Sequence, residues 1–535
     1  MDSAAILSGA TSHPLTPNYK YSYGTAGFRA NADVLDSVFF SVGLLAVLRS
    51  KKLEGKTIGV MITASHNPEE DNGVKLIDPE GEMLAGSWEA HATSLANSSN
   101  HLKTLQQIVT IESIDLTKPA KVIYGHDTRP SCAPLIKALK DGLDCFSGTA
   151  GGPKVIESGL KTTPQLHYLV KCLNDGGVYG EPSEEGYYQK LSAAFKEINA
   201  QKSTLPPLTI DCANGVGAPK LKAFQTYLAT APLSIQLTNT DINTLGKLNK
   251  ECGADFVKTT QSAPPNIKLE PFQRLCSFDG DADRIVYYYS NGKIFRLMDG
   301  DKIATLVARY VKDLIEREDE RVRSEARIGV VQTAYANGNS TRYITETLGL
   351  PVTCTPTGVK HLHHAAQDYD VGIYFEANGH GTVVFSNAFL HSLPPTSALF
   401  QLSQLINQTV GDSISDMLLV ETILLQKGWG MKEWDESYEE LPNRLVKVLV
   451  RDRNAFVTTD AERKLVAPEG MQAKLDRIVA GYRSGRAFVR PSGTEDCVRV
   501  YAEAETRGMT DELAFKVAGM VFDFSGKGEK PKEFI

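Results

Sequence analysis

Two short stretches of this 535-residue chain combine residue types and spacing that chemistry can use. The first is Thr63-Ala64-Ser65-His66-Asn67-Pro68, after the run Thr57–Ile62. The apolar members of that run alternate as in a half-buried strand. A strand ending in small and polar residues delivers a side chain to the rim of a sheet, where open α/β folds bind ligands. Ser65 is therefore expected to be presented rather than buried. Pro68 holds Asn67 in extended geometry and keeps a helix from starting there. His66 adjoins the hydroxyl, but neighbours on an extended chain point opposite ways, so it need not be the base for Ser65. Alone, the stretch reads as an ordinary polar turn.

The second stretch, Asp279-Gly280-Asp281-Ala282-Asp283-Arg284, places three carboxylates at alternate positions. Alternate side chains on extended chain share a face, where one hard cation can meet all three. Gly280 and Ala282 leave room for a phosphate to approach. A calcium loop wants Gly at its sixth position and Glu at its twelfth, where this chain has Arg284 and Ser290. A solvated acidic loop fits poorly between the strand-like runs Leu275–Phe278 and Ile285–Tyr289. Arg284 is either an ion-pair partner of these carboxylates or a cation facing a transferring phosphoryl group.

Together, the Ser65 stretch and the acidic stretch resemble the α-D-phosphohexomutase superfamily. Tyr23-Gly24-Thr25-Ala26-Gly27-Phe28-Arg29 fits ahead of them, and Arg490-Pro491-Ser492-Gly493-Thr494-Glu495-Asp496 fits near the end. Glu376-Ala377-Asn378-Gly379-His380-Gly381-Thr382 occupies the place of that superfamily's sugar loop. Its Asn-Gly-His-Gly form resembles the eukaryotic phosphoacetylglucosamine mutases, whereas glucose and mannose mutases usually carry a Ser there. The resemblance implies three related mixed α/β domains followed by a smaller α+β C-terminal domain. It implies a phosphoserine at Ser65, with Mg2+ held by its phosphate and by Asp279, Asp281 and Asp283. Thr357, Gly358, Glu376, Asn378 and Gly379 would meet the sugar. The implied reaction interconverts N-acetylglucosamine 6-phosphate and N-acetylglucosamine 1-phosphate through a sugar bisphosphate. A sugar 1,6-bisphosphate would prime it, and the product would feed UDP-N-acetylglucosamine synthesis. The competing readings are a phosphoglucomutase or phosphomannomutase, a metal-dependent phosphatase, and a catalytically silent sugar-phosphate-binding protein. Intact Ser65 and aspartates argue against the last.

Composition agrees with an enzyme acting on small molecules. The chain is 42% apolar and 23% charged, as in globular proteins. A net charge of −7 gives no global basic field for nucleic acid. The eight cysteines include no C-x-x-C pair and read as free thiols in a reducing compartment. The first residues lack a basic n-region, and no apolar run reaches bilayer-spanning length. The expectation is a cytoplasmic monomer with a phosphosugar substrate and neither nucleic acid nor membrane as partner.

The elements that position these residues follow in order. Residues 1–20 read as a polar extended arm. Residues 23–29 form a loop that lets Thr25 and Arg29 touch a phosphate near Ser65. Asp36 is expected to cap a helix over Ser37–Ser50, with Val38, Phe39, Val42, Leu45 and Leu48 at helical spacing. Lys75 projects towards Ser65 from the returning strand. Arg129 and His126 suit structural hydrogen bonds at least as well as a site. Thr163-Pro164 opens a helix, and a first domain spans 1–180. In the second, 181–297, the glycine turn of residues 208–219 lacks the Lys-Ser/Thr ending of a nucleotide loop and reads as a close-packed turn.

The third domain, 298–432, has strands over Ile328–Thr333, Pro351–Thr355 and Val371–Phe375, and helices over Gly338–Leu348, Leu402–Gly411 and Ile414–Gln426. Thr357–His361 reads as a flexible turn. A free serine hydroxyl is a poor nucleophile, so Lys360, His361 or Lys75 must assist as acid or base. A metal site at His361, His363 and His364 is discounted. In the last domain, 433–535, Ser492, Gly493 and Thr494 lie between two strands, and Arg490 and Arg499 flank them. Backbone N–H groups, two hydroxyls and these cations make a phosphate cradle.

Overall fold

The structure, a computed structural model, describes residues 1–25, 27–148, 151–492 and 496–534. It divides into two compact units, residues 1–299, 378–382 and 394–431 in one and the rest in the other.

Three sheets repeat one strand arrangement. The first contains β1 (Phe28–Asn31), β2 (Thr57–Ile62), β3 (Asp71–Ile77), β4 (Ala120–His126) and β5 (Pro153–Leu160). The second contains β6 (Leu208–Asp211), β7 (Ile235–Thr238), β8 (Leu275–Phe278), β9 (Ile285–Ser290) and β10 (Phe295–Met298). The third contains β11 (Ile328–Thr333), β12 (Val352–Thr355), β13 (Val371–Phe375) and β14 (Gly381–Phe385). Their orders read β5-β4-β2-β3-β1, β7-β6-β8-β9-β10 and β12-β11-β13-β14. In each, a strand parallel to its inner neighbour (β2 to β4, β8 to β6, β13 to β11) leads through a loop to the next strand out. The Ser65 stretch, the acidic stretch and the Glu376 stretch are those three loops. They lie at the carboxyl ends of parallel strands, where open α/β sheets bind ligands. The second and third sheets form in the same chain order, whereas the first builds its loop-bearing hairpin before the two strands inside it.

The last sheet has the order β15 (Asn443–Leu449), β19 (Cys497–Glu503), β18 (Arg486–Pro491) and is wholly antiparallel. A separate hairpin joins β16 (Val457–Thr459) to β17 (Lys464–Ala467). Helix Arg507–Ser525 contributes Leu513, Ala514, Val517, Ala518 and Val521 to the same core as these strands. The architecture is three related α/β domains and a smaller α+β one.

Several local expectations change. The extended arm is a helix over Ser3–Ser12: Asp2 accepts hydrogen bonds from the Ala4 and Ala5 amides at 2.9 and 3.1 Å, and Ile6 is fully buried. An N-terminal carboxylate cap and an Ala-Ala-Ile-Leu run outweigh the polar residues around them. Asp36 is no cap. It lies inside helix Asp36–Lys52 and bonds His13 Nδ1 at 2.7 Å. That helix is buried continuously from Ser37 to Lys51. β2 is likewise buried at all six positions: β3 and β4 flank it in the sheet, and helices Asp36–Lys52 and Thr163–Asn174 pack against it.

Residues 406–411 are not helical. Helices span Ala398–Leu405 and Ser413–Lys427, and Asp412 caps the second through the Ile414 and Ser415 amides. The Asn407 side chain donates to Asp412 and accepts from the Thr409 hydroxyl, local bonds that compete with helix. Thr357–His361 is not a flexible turn, since helix Val359–Ala366 begins within it.

Candidate active site

The Ser65 loop is held by its backbone. Arg129 donates to the carbonyls of Ser65, Asn67, Pro68 and Asp71 at 2.5–2.9 Å, and Asp127 fixes the guanidinium at Nε, 3.1 Å. Asp127 also accepts from Thr63 Oγ1 at 2.7 Å, and Thr63 Oγ1 accepts from the Ser65 amide at 2.9 Å. Asn249 adds bonds to the Ser65 and Asn67 carbonyls. So tied, Ser65 adopts a left-handed φ of 53°, which turns its side chain inward. It is fully buried, not presented, and its Oγ donates to Asp279 Oδ2 at 2.6 Å.

The acidic loop converges its carboxylates by turning, not by extended alternation. Ala282 has φ 59° and its amide bonds the Asp279 carbonyl. Asp279 Oδ1 accepts from the amides of Asp283 and Arg284. One oxygen from each of Asp279, Asp281 and Asp283 then lies within 4.8 Å of the others. Gly280 leaves room for the chain itself: an added Cβ would stand 2.6 Å from the Ser65 carbonyl oxygen. Gly215 packs on Gly280 from the other side, so residues 208–219 do form a close-packed turn.

Cations surround this nest. Lys75 Nζ stands 3.2 Å from Asp283 and 3.5 Å from Asp281. Arg284 bonds Asp255 at 3.2 Å, with its Nε 3.9–4.0 Å from Asp283 and Asp279. Arg29 is lowered by burial and by Arg284 against the pull of all three aspartates, which places it in the same field. Burial and the charges of Asp283 and Asp281 push Asp279 well above the usual carboxylate range. Burial would also raise Asp283, but Lys75 and His380 outweigh it and hold it well below. His66 Nδ1 stands 3.5 Å from Ser65 Oγ; burial chiefly, then Arg284 and Arg29, lowers its pKa to about 2, which leaves a neutral and weakly basic imidazole. Thr25 sits exposed on its turn.

Asn378, Gly379 and His380 belong to this unit as well. Gly379 has φ 85°, and any Cβ there would strike the Ile285 carbonyl, whose own amide bonds the Gly379 carbonyl at 3.1 Å. His380 Nδ1 donates to the Asp283 carbonyl at 2.7 Å, and Asn378 Oδ1 accepts from the His380 amide.

In the second unit, Glu376 is half-buried at the end of β13. Gly358 takes φ 130° just before its helix, Lys360 is buried in the first turn, and His361 is exposed. His363 bonds the Tyr374 hydroxyl. Arg490 pairs across the last hairpin with exposed Arg499, and Ser492 is buried. Gly493 and Thr494 lie outside the described residues. Arg490 and Thr357 are both bonded to Glu462, a residue the motifs do not mark.

Family models match residues 181–286 and 299–429 as "Phosphoacetylglucosamine mutase AMG1", domains II and III. Those for "Phosphoglucomutase/phosphomannomutase" match 26–103 (alpha/beta/alpha domain I) and 445–520 (C-terminal domain). The chain is 50% identical to phosphoacetylglucosamine mutase of Homo sapiens, over 99% of each chain. The chain belongs to the phosphoacetylglucosamine mutase family. An Aspergillus fumigatus N-acetylphosphoglucosamine mutase structure with GlcNAc-6P and magnesium superimposes with a TM-score of 0.92 at 51% identity, over 97% of this chain and 98% of that one. Another from that organism, with glucose 1,6-bisphosphate, gives 0.91 at 50% identity over 98% and 99%.

This member of the mutase family fits a hard divalent cation on its own structure. Asp281 Oδ1 and Asp283 Oδ1 are buried without a hydrogen-bond partner, beside a third carboxylate. Three hard oxygen donors are the chemistry magnesium takes. Sequence reasoning missed Thr163, whose Oγ1 donates to Asp281 Oδ2 at 2.6 Å, and the loop-holding Asn249. Single polar residues far along the chain carry no local signal. Among the described residues, no helix is long and apolar enough to cross a membrane.

Proposed function

We propose that this mutase interconverts N-acetylglucosamine 6-phosphate and N-acetylglucosamine 1-phosphate, with a phosphoserine at Ser65 and a sugar 1,6-bisphosphate as intermediate and primer. The observation that carries it is the buried Ser65 Oγ donating at 2.6 Å to Asp279 inside a three-carboxylate nest. Asp279, Asp281, Asp283 and the Ser65 phosphate would hold Mg2+, which neutralises charge developing on the transferred phosphoryl group.

Arg129 and Asn249 hold the loop so that Oγ keeps one orientation. In the forward half-reaction the Ser65 phosphoryl passes to the free hydroxyl of the sugar. In the return half, Ser65 Oγ gives up its proton and takes the other phosphoryl of the bisphosphate. Lys75, two ion pairs deep in the nest, is positioned as the acid or base on the serine side. Lys360 and His361 remain candidates on the sugar side. Arg284 and Arg29 oppose the charge of the transferring group, and neutral His66 supports their cluster without titrating. Glu376, Asn378 and Gly379, with Thr357 and Gly358, meet sugar hydroxyls, since a carboxylate and an amide grip vicinal hydroxyls with fixed geometry. Arg490, Ser492, Gly493, Thr494 and Arg499 take the phosphate that is not being transferred.

The same reading sets domains at 1–180, 181–297, 298–432 and 433–535, and each sheet falls within one range to within a residue. It also places the enzyme in the cytoplasm as a monomer feeding UDP-N-acetylglucosamine synthesis. The eight cysteines are thiols, seven of them buried, which supports a reducing compartment.

The test is a coupled assay with Mg2+ and a bisphosphate primer, offering N-acetylglucosamine 6-phosphate, glucose 6-phosphate and mannose 6-phosphate separately. Strong preference for the acetylated sugar is expected. Preference for glucose or mannose would keep the chemistry and cancel the substrate. Net phosphate release without primer would point to a phosphatase, and no turnover by the phosphorylated protein to a binding protein.

A further inference from the structure

Glu462 sits at the tip of the β16–β17 hairpin and belongs to none of the five motifs. Asp460, Ala461 and Glu462 take φ of 53°, 53° and 67° in succession. Three consecutive non-glycine residues in the left-handed region persist only where their surroundings hold them, and such backbone marks functional positions. What holds the last of them is its carboxylate. Oε1 accepts from Arg490 Nε at 2.8 Å. Oε2 accepts from both the amide and the hydroxyl of Thr357, at 2.9 and 2.6 Å. Both partners are largely buried, the Glu462 side chain 18% exposed and that of Arg490 20%.

We infer that Glu462 is a positioning residue for phosphosugar binding, fixing Thr357 and Arg490 in one geometry through the two oxygens of a single carboxylate. This rests on the proposed roles of Arg490 at the phosphate and Thr357 at the sugar. Two consequences follow from donor and acceptor counting. With Nε committed to Glu462, the plane of the Arg490 guanidinium is set, and its terminal nitrogens need not be ordered when an anion arrives. With the Thr357 hydroxyl donating to Glu462, its oxygen is left as an acceptor, so it takes a hydrogen bond from a sugar hydroxyl rather than giving one. The carboxylate is kept ionised for this work: burial would raise it, but Thr357 and Arg490 bring it below its ordinary range.

The test measures kcat, KM and primer dependence for Glu462→Ala and Glu462→Gln, beside Arg490→Ala and the Arg490→Ala/Glu462→Ala double variant. Glu462→Ala is expected to raise KM for N-acetylglucosamine 6-phosphate by about tenfold to a hundredfold, the worth of a charge-assisted hydrogen bond. Its kcat at saturating primer should hold within about threefold. More primer should be needed, because a loosened grip lets the bisphosphate escape before it turns over. Glu462→Gln should fare no better, since its NH2 must face either the Arg490 or the Thr357 donors. The double variant should lose clearly less than the sum of the two single losses, as expected for residues acting through one another, with the Thr357 bonds accounting for what Glu462 still costs beside Arg490→Ala. Should the alanine variant fail to fold, the isosteric glutamine variant carries the same test.

An unchanged KM, a lowered KM, or additive losses in the double variant would overturn the inference, the lowered KM by making Glu462 a competitor of the substrate anion. Wild-type enzyme that turns over the sugar while Glu462→Ala matches it in KM and primer demand sinks this inference alone. Wild-type protein that handles no phosphosugar sinks the proposed function, and this inference with it.

Discussion

The acidic nest around Ser65 and the Arg490–Glu462–Thr357 cluster handle charge in opposite ways. In the nest, three carboxylates and a serine are sealed off, with Ser65 and Asp281 fully buried. Charge there cannot be screened by water, so it is balanced at once by Lys75, Arg284 and Arg29. Main-chain bonds to the Asp279 carboxylate complete the arrangement. The second cluster is half-open, carries an exposed Arg499 beside Arg490, and sets a single carboxylate against one guanidinium and one hydroxyl. The three carboxylates of the dry site come from one six-residue stretch, although Ser65, Lys75 and Thr163 reach them from far along the chain, whereas the partly wet cluster is gathered wholly from three distant segments. The nest suits a group whose charge changes during reaction, and the other cluster suits a phosphate that merely stays bound.

Removing the nucleophile breaks this contrast most sharply. Ser65→Ala should lower interconversion by at least about 10⁴-fold, with a melting temperature close to wild type because Asp279 keeps its main-chain donors. A coupled assay beside a thermal melt decides it, and substantial residual mutase activity would remove Ser65 from its role. A smaller effect is expected at the other cluster. Arg490→Lys keeps the charge but loses the fork that serves Glu462 and a phosphate together. KM should rise by about tenfold with kcat nearly unchanged, whereas a kcat loss as large as that of Ser65→Ala would place Arg490 at the transferring group and erase the distinction.

That difference in contiguity also decided what the sequence could reveal. Asp279, Asp281 and Asp283 stand together in six residues, so their cluster was legible although the route was not. Extended alternation was expected, and a turn at Ala282 does the work instead. The burial of Ser65 was invisible because it depends on a left-handed φ at residue 65 and on Arg129 and Asn249, each distant in sequence. β11 and β13 were read to the residue, since continuous apolar runs bounded by polar turns define buried strands. The helix at Ser3–Ser12 had a local signal in its Asp2 cap and Ala-Ala-Ile-Leu run, but its anchoring by Ile6 in the core is tertiary and left no mark in the sequence. Glu462 was missed for the same reason: its partners lie 105 and 28 residues away in the chain.

The smallest effect concerns the acid sensitivity of the dry unit. His167 is fully buried there, its Nδ1 donates to the Gly81 carbonyl at 2.7 Å, and burial, chiefly, lowers it to about 3. Its ordinary value is 6.5. Between those two values the unfolded chain binds a proton that the folded chain refuses. Stability therefore falls as pH drops below 6.5, by about 1.4 kcal/mol per pH unit for each such histidine. Histidine 167 to asparagine, His167→Asn, keeps a donor for Gly81 and removes the titration. Denaturant unfolding from pH 7.5 to 5 should then show a slope shallower by one proton, despite a lower starting stability from lost packing. An equal slope would mean that His167 titrates alike in both states. The dry unit would then admit a charge that its burial argues against, and the contrast between the two regions would lose its physical basis at that position.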